Sequence, residues 1–223
     1  GAYRLVHFAP GDVLRAEANH RYHVAGQPFF DTLEIKGGGD AASAARAVLQ
    51  TGEFDFAWNL LVEDDMLQRL EQAGRGRVNI NEGGSVEFIQ LNTTDPSIEV
   101  EGERASIRTE HPAFRDPAVR QAMALLVDRE SISRFIYGRG GPPTTNFLNN
   151  PARFRSPNTR AEFSIARANE VLDAAGWARG QGGIRQKDGV RLRFVFQTSV
   201  NAPRQRTQQI IRQAASRAGI ELE

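Results

Sequence analysis

Apolar residues along the chain switch between two spacings. Tyr3 to Phe8 and Asp12 to Glu17 alternate closely enough for strands, and Pro10-Gly-Asp12 marks the turn between them. Phe29 to Ile35 is a third strand-like run. Gly37-Gly-Gly-Asp40 closes it and opens a helix, with Asp40 as N-cap. Ala41, Ala44, Ala45, Val48 and Leu49 then recur at helical spacing, and Gly52 stands where a left-handed C-cap is wanted. Phe54 to Trp58 reads as a short buried strand, and Glu63 to Ala73 as a helix with acidic residues in its first turn. Two strand-like runs, between Val78 and Thr93, flank Glu82-Gly-Gly84. Thr93 to His111 lacks periodicity and predicts a long surface loop.

In the second half the pattern predicts helices over 117–127, 129–137, 164–175 and 203–218. Ile165, Ala168, Val171 and Leu172 form the apolar stripe of the third. Thr207, Ile210, Ile211, Ala214 and Ala218 form that of the last. Gly138 to Asn158, rich in Gly, Pro and Asn, predicts a long ordered loop. Asp188-Gly189 signals a hairpin, and Leu192, Phe194 and Phe196 place one face of the following strand inward. Strands and helices alternating in short steps predict an α/β layered fold.

Composition narrows the class. Over 223 residues, Lys plus Arg is 28 and Asp plus Glu is 27, so no strong field would steer nucleic acid or an anionic membrane. Cysteine is absent, which removes disulfides and thiolate metal sites. No apolar run approaches a membrane span. The sequence opens on the strand-like Tyr3–Phe8 without a leader and stops within Gly219-Ile-Glu-Leu-Glu223, which predicts an internal piece of a longer protein. Each terminal strand is then expected to lack a neighbour in its sheet.

Candidate chemistry is sparse. Gly37-Gly-Gly-Asp40 lacks the Lys-Ser/Thr of a phosphate loop and reads as a turn. His20 and His23 have no further ligands nearby in sequence, and Glu63-Asp-Asp65 reads as a solvated helix start. None of the common hydrolase or metalloprotease motifs occurs. No cofactor is expected. Positions beyond the carboxyl ends of strands are the places for a ligand. Trp58 there offers a flat apolar wall, or is core; Asn59 offers a donor and acceptors. Thr198, Ser199 and Asn201 form a loop between a strand and the last helix. Arg204 beyond it either pairs with a ligand carboxylate or faces solvent. Asn92 serves a turn, a hinge or a ligand, and Asn146 lies in the long loop.

The helical segment Asp116-Pro-Ala-Val-Arg-Gln-Ala-Met-Ala-Leu-Leu-Val-Asp-Arg129 resembles the helix after the crossover strand in family-5 extracellular solute-binding proteins of peptide ABC importers. Other blocks agree in order. Gly1-Ala-Tyr-Arg-Leu-Val-His-Phe8, Glu17-Ala-Asn-His-Arg-Tyr22 and Gly26-Gln-Pro-Phe-Phe-Asp31 resemble the family's early strands. Phe54-Asp-Phe-Ala-Trp-Asn59 resembles its "G-x-x-D-x-A" strand, and Ala168-Asn-Glu-Val-Leu-Asp-Ala-Ala-Gly-Trp177 its late helix. The resemblance implies a periplasmic-binding-protein-like two-lobed α/β fold of the type II, large peptide-binding class. Residues 1–84 would belong to the terminus-bearing lobe, 85–223 to most of the second lobe, and Ser85–Thr93 would be the crossover strand. It implies a periplasmic carrier, not an enzyme, with a peptide ligand and an inner-membrane ABC permease as partners. The family's amino-anchoring aspartate would lie beyond Glu223, so poor peptide binding by these residues alone is expected. A nickel chelate, an opine or an oligosaccharide are alternative ligands. An α/β enzyme or a chaperone-like interaction module are alternative classes.

Overall fold

A computed structural model describes residues 1–223. By its internal contacts the chain divides into two compact units. One comprises Gly1–Leu60 with Arg69–Arg77, the other Leu61–Gln68 with Val78–Glu223.

The first unit is built on an antiparallel sheet of β1 (Tyr3–Ala9), β2 (Val13–Ala18) and β3 (Thr32–Lys36), in that order. Ala9 pairs Val13 across the predicted turn, and a bulge between Leu5 and His7 shifts the register. The pairing sorts the side chains by face. Leu5, Phe8, Leu14, Ala16, Leu33 and Ile35 share one face. Arg4, His7, Arg15, Glu17, Thr32 and Glu34 share the other, where Arg15 donates to Glu34 at 2.7 Å. Helix α1 (Ala41–Arg46) starts at Asp40, whose carboxylate accepts from the Ser43 amide at 2.8 Å. It runs on through a π-helical turn, Ala47–Thr51, to Gly52 at φ 69, the left-handed stop that glycine adopts without strain.

Helix α2 (Asp64–Glu71) follows. The second unit continues with the short hairpin β4 (Glu99–Val100) and β5 (Glu103–Arg104), inside the predicted surface loop. Asp116 caps helix α3 (Pro117–Leu125), accepting from the Ala118 amide at 2.9 Å. Asp128 caps α4 (Arg129–Ile132), which runs on through the π-helical turn Ser133–Tyr137. Helix α5 (Ile165–Ala174) leads to a three-stranded meander of β6 (Ala178–Arg179), β7 (Arg185–Lys187) and β8 (Val190–Arg191). Asp188 and Gly189 make its tight turn at φ 49 and 79, the positive pair that a two-residue hairpin demands. β9 (Arg193–Phe194) pairs in parallel with β10 (Glu221–Leu222) across helix α6 (Ala202–Arg217).

One core fills this unit. Val119, Ala122, Leu126, Ala168, Leu172, Leu192, Ile211, Ala215 and Ile220 are buried where α3, α5 and α6 meet the β9–β10 pair. Phe114 stacks on Phe194 at 4.3 Å between ring centres. Trp177 is buried, its indole N–H on the Asp116 carboxylate at 2.9 Å. Arg185 is fully buried, and its guanidinium donates to the carbonyls of Ala218 (2.8 Å) and Trp177 (2.5 Å), to Asn169 (2.8 Å) and to Asp173. A buried guanidinium is tolerable only when satisfied in this way.

Three expectations need correction. Phe54–Trp58 and Ser85–Thr93 are not strands, and neither are the runs between Val78 and Ser85. An apolar run becomes a strand only when another strand supplies its ladder, and these find none within the chain. Phe54–Trp58 is not a buried segment either, since Phe56 and Trp58 are largely exposed. Nor is Glu63-Asp-Asp65 simply a solvated helix start. Asp64 is buried and accepts from the Arg139 amide (3.1 Å) and guanidinium (2.8 Å) and from Gln68 (2.9 Å). Burial opposes its charge, but those donors outweigh it and hold its pKa below the usual carboxylate range.

Candidate functional site

In the first unit, the Trp58 side chain is 81% exposed. That is compatible with a wall awaiting a ligand and places it outside the core formed by these residues. Asn59 follows at φ 55, a left-handed conformation that asparagine tolerates better than most residues. It is exposed as well.

In the second unit, α6 organises most of the remaining candidates. Asn201 is its N-cap and accepts from the Arg204 amide at 3.1 Å, which fixes where the 198–201 loop ends. The Asn201 amide also reaches the Leu61 carbonyl at 3.4 Å. Thr198 and Ser199 are exposed. Arg204 neither hangs in solvent nor waits unpaired. Its Nε and Nη2 grip the two Glu87 oxygens at 3.1 and 2.6 Å, and its Nη1 donates to Ser199 Oγ at 3.0 Å. The arginine accordingly holds its proton more firmly than usual, chiefly through the hydrogen bonds to Glu87. Tyr137 belongs to the same cluster. Burial raises its phenol pKa first and the Glu87 carboxylate raises it further.

The other two candidates stand apart. Asn92 folds back on its own turn, its Oδ1 accepting from the Thr94 amide (3.0 Å) and hydroxyl (2.7 Å). That is the local asparagine turn that competes with ligand binding for the same atom. Asn146 braces the long loop, accepting from the Ser156 amide at 2.7 Å and donating to its carbonyl at 3.3 Å. It also lines a cavity of about 320 Å³ with Thr144, Asn149, Arg155 and Glu162. A cleft of about 700 Å³ is lined by Thr94, Ile107, Arg115 and Arg120.

The structure therefore gathers Ser199, Asn201 and Arg204, and adds Glu87 and Tyr137, which the sequence reading did not single out. The one available signal was Glu87, the charged residue in the mostly apolar run Val86-Glu-Phe-Ile-Gln-Leu91. His111 is a second addition. Its Nδ1 accepts from the amides of Ala113 and Phe114, both at 3.1 Å, so the ring is held neutral there. Burial depresses its pKa against a weaker pull from Asp95. No group of three or more His, Cys, Asp or Glu side chains is arranged to hold a metal, and no helix is long and apolar enough to cross a membrane.

Comparison with known proteins supplies the class. Residues 1–223 match the family described as bacterial extracellular solute-binding proteins, family 5 middle, and the chain belongs to that family. Its members are solute-binding proteins, not enzymes. The oligopeptide-binding protein AppA of Bacillus subtilis is 28% identical over 229 residues, covering 100% of this chain and 38% of AppA. Protein XP55 of Streptomyces lividans is 32% identical over 108 residues, 48% of this chain and 20% of XP55. Among solved structures, the oligopeptide-binding protein of Thermus thermophilus complexed with a pentapeptide aligns with a TM-score of 0.77 and 22% identity, over 100% of this chain and 38% of that one. NikA of Brucella suis in complex with Fe(III)-EDTA aligns at 0.74 and 20%, over 100% and 42%. The chain thus spans about two fifths of the length of such relatives. It has the fold of the matching part of these two-lobed binding proteins.

Proposed function

We propose that this chain belongs to the substrate-binding component of a peptide ABC importer, acting in the periplasm. It captures a peptide between two lobes and hands it to an inner-membrane permease. Residues 1–84 contribute to one lobe and 85–223 to the other. Trp58, Asn59 and the Thr198–Arg204 loop face the ligand, with Asn92 and Asn146 as outlying candidates. Lobe closure removes the ligand from water, so hydrogen bonds to its backbone are uncontested by solvent. The observation that carries the reading is the match along all of this chain with part of AppA, which is named for oligopeptide binding.

The test is mass spectrometry of ligand released from the intact protein as purified, followed by calorimetry with the species found. Heterogeneous short peptides are expected. A single nickel chelate, an opine or an oligosaccharide in their place would overturn the peptide assignment and leave the carrier class standing.

A further inference from the structure

Arg204 carries a cation at the head of the loop assigned above to the ligand, yet it offers little of that cation outward. A guanidinium recognises a carboxylate best through two parallel N–H groups. The side-on pair formed by Nε and Nη2 is already filled by Glu87 at 3.1 and 2.6 Å, and one Nη1 hydrogen is given to Ser199 Oγ at 3.0 Å, which leaves one hydrogen on each of Nη1 and Nη2. Glu87 comes from a segment 117 positions away in sequence, so its arrival is a product of the fold and not of local chain geometry. That segment is itself fastened. Asn150 donates to the Glu82 carbonyl at 2.7 Å, Arg155 to the Glu82 carboxylate at 3.2 Å, and Phe88 meets Phe147 edge-on at 6.1 Å. The carboxylate is held in place, while both partners keep enough exposure for an incoming group to compete, with side chains 39% and 48% accessible.

We propose that Glu87 is a specificity-determining residue: it occupies Arg204 as an internal carboxylate, so that this loop accepts uncharged, amide-like parts of a ligand and disfavours carboxylates. The proposal rests on the reading that the Thr198–Arg204 loop borders the ligand. A ligand carboxylate that takes the Nε and Nη2 pair must displace Glu87, and one that approaches the hydrogens left on Nη1 and Nη2 meets the Glu87 charge beside it. A neutral amide needs only the Ser199 and Thr198 hydroxyls and the loop backbone.

The test uses the intact protein, pentaalanine peptides carrying Glu or Gln at each position in turn, and acetate as a bare carboxylate. In Glu87→Gln the affinity for the Glu peptide relative to its Gln counterpart should rise about fivefold at one or more positions, the factor corresponding to one exposed ion pair. Glu87→Gln combined with Arg204→Gln should cancel the rise. Independently, the Arg204 Nε–H resonance should stay fixed when acetate is titrated into the wild type and shift saturably in Glu87→Gln. Equal Glu-to-Gln ratios in wild type and variant, with the peptides bound, would overturn the proposal and spare the peptide reading. So would an Arg204 signal that responds to acetate equally in both. Failure of every pentapeptide to bind would remove the peptide reading, while the acetate titration would still decide whether Glu87 shields Arg204.

Discussion

The β1–β3 sheet and the α3–α5–α6 assembly start from equally clear apolar patterns and end differently. In the helical assembly the stripes meet one another, and Val119, Leu172 and Ile211 are excluded from water. In the sheet the pattern is just as regular, but Leu5, Phe8 and Ile35 remain more than half exposed. Amphipathic spacing decides which side chains share a face. It does not supply the partner that covers the face. The helical region should therefore hold most of the stability that mutation can remove, and the sheet little of it.

Substitutions sharpen this contrast. Arg185→Ala should have the largest effect, about 3 kcal/mol or more, because it strands buried carbonyls and leaves a void. Denaturant unfolding followed by Trp177 fluorescence, with Trp58 replaced by Phe, reads it out. Ile211→Ala should cost about 3 kcal/mol through its cavity. Leu5→Ala should cost under about 0.5 kcal/mol in the same assay, as exposed substitutions do. Equal losses at Ile211 and Leu5 would break the comparison.

Acidification should act next. His111 has a depressed folded pKa, so it stabilises while neutral. That contribution is complete above about pH 6.5, its ordinary value, and is lost as pH falls below it towards the folded pKa. Melting temperature should therefore decline from pH 7 to 5, and less in His111→Gln. Asp116 adds a later loss. Burial works against its charge, but Trp177, the Ala118 amide and Lys187 together depress its pKa. Its contribution is present above about pH 3.9 and disappears below it, and Asp116→Asn should flatten that limb. The smallest effect is expected at Trp58. Trp58→Phe should leave the melting temperature within about 1 °C, since a change of a few tenths of a kcal/mol moves it no further. It should also remove most acrylamide quenching, because Trp177 is shielded.

Much of the fold was legible because it was local. Asp40, Asp116 and Asp128 announce helices by capping within three residues, Gly52 ends one, and Asp188-Gly189 turns a hairpin. The misreadings share one cause. Whether Phe54–Trp58 or Ser85–Thr93 joins a sheet depends on a partner strand, which their own residues do not encode. The candidate site divides likewise. Asn201 and the loop before α6 could be placed from the strand-to-helix junction, but the Glu87 carboxylate reaches Arg204 only through tertiary folding. The Asp64–Arg139 pair, 75 positions apart, escaped for the same reason.

The parallel pairing of β9 with β10 sets an order on folding. Leu222 can bond beside Phe194 only after the 16-residue α6 between them has formed and turned the chain back. Such a closure carries its entropic cost before its reward. The amides of Glu221, Glu223 and Phe196, which bond across this pair, should gain protection from hydrogen exchange late, in the step that covers Leu192, Phe194 and the stacked Phe114. During synthesis these apolar residues stay uncovered until Leu222 has left the ribosome, an interval in which a holdase-type chaperone would find its substrate.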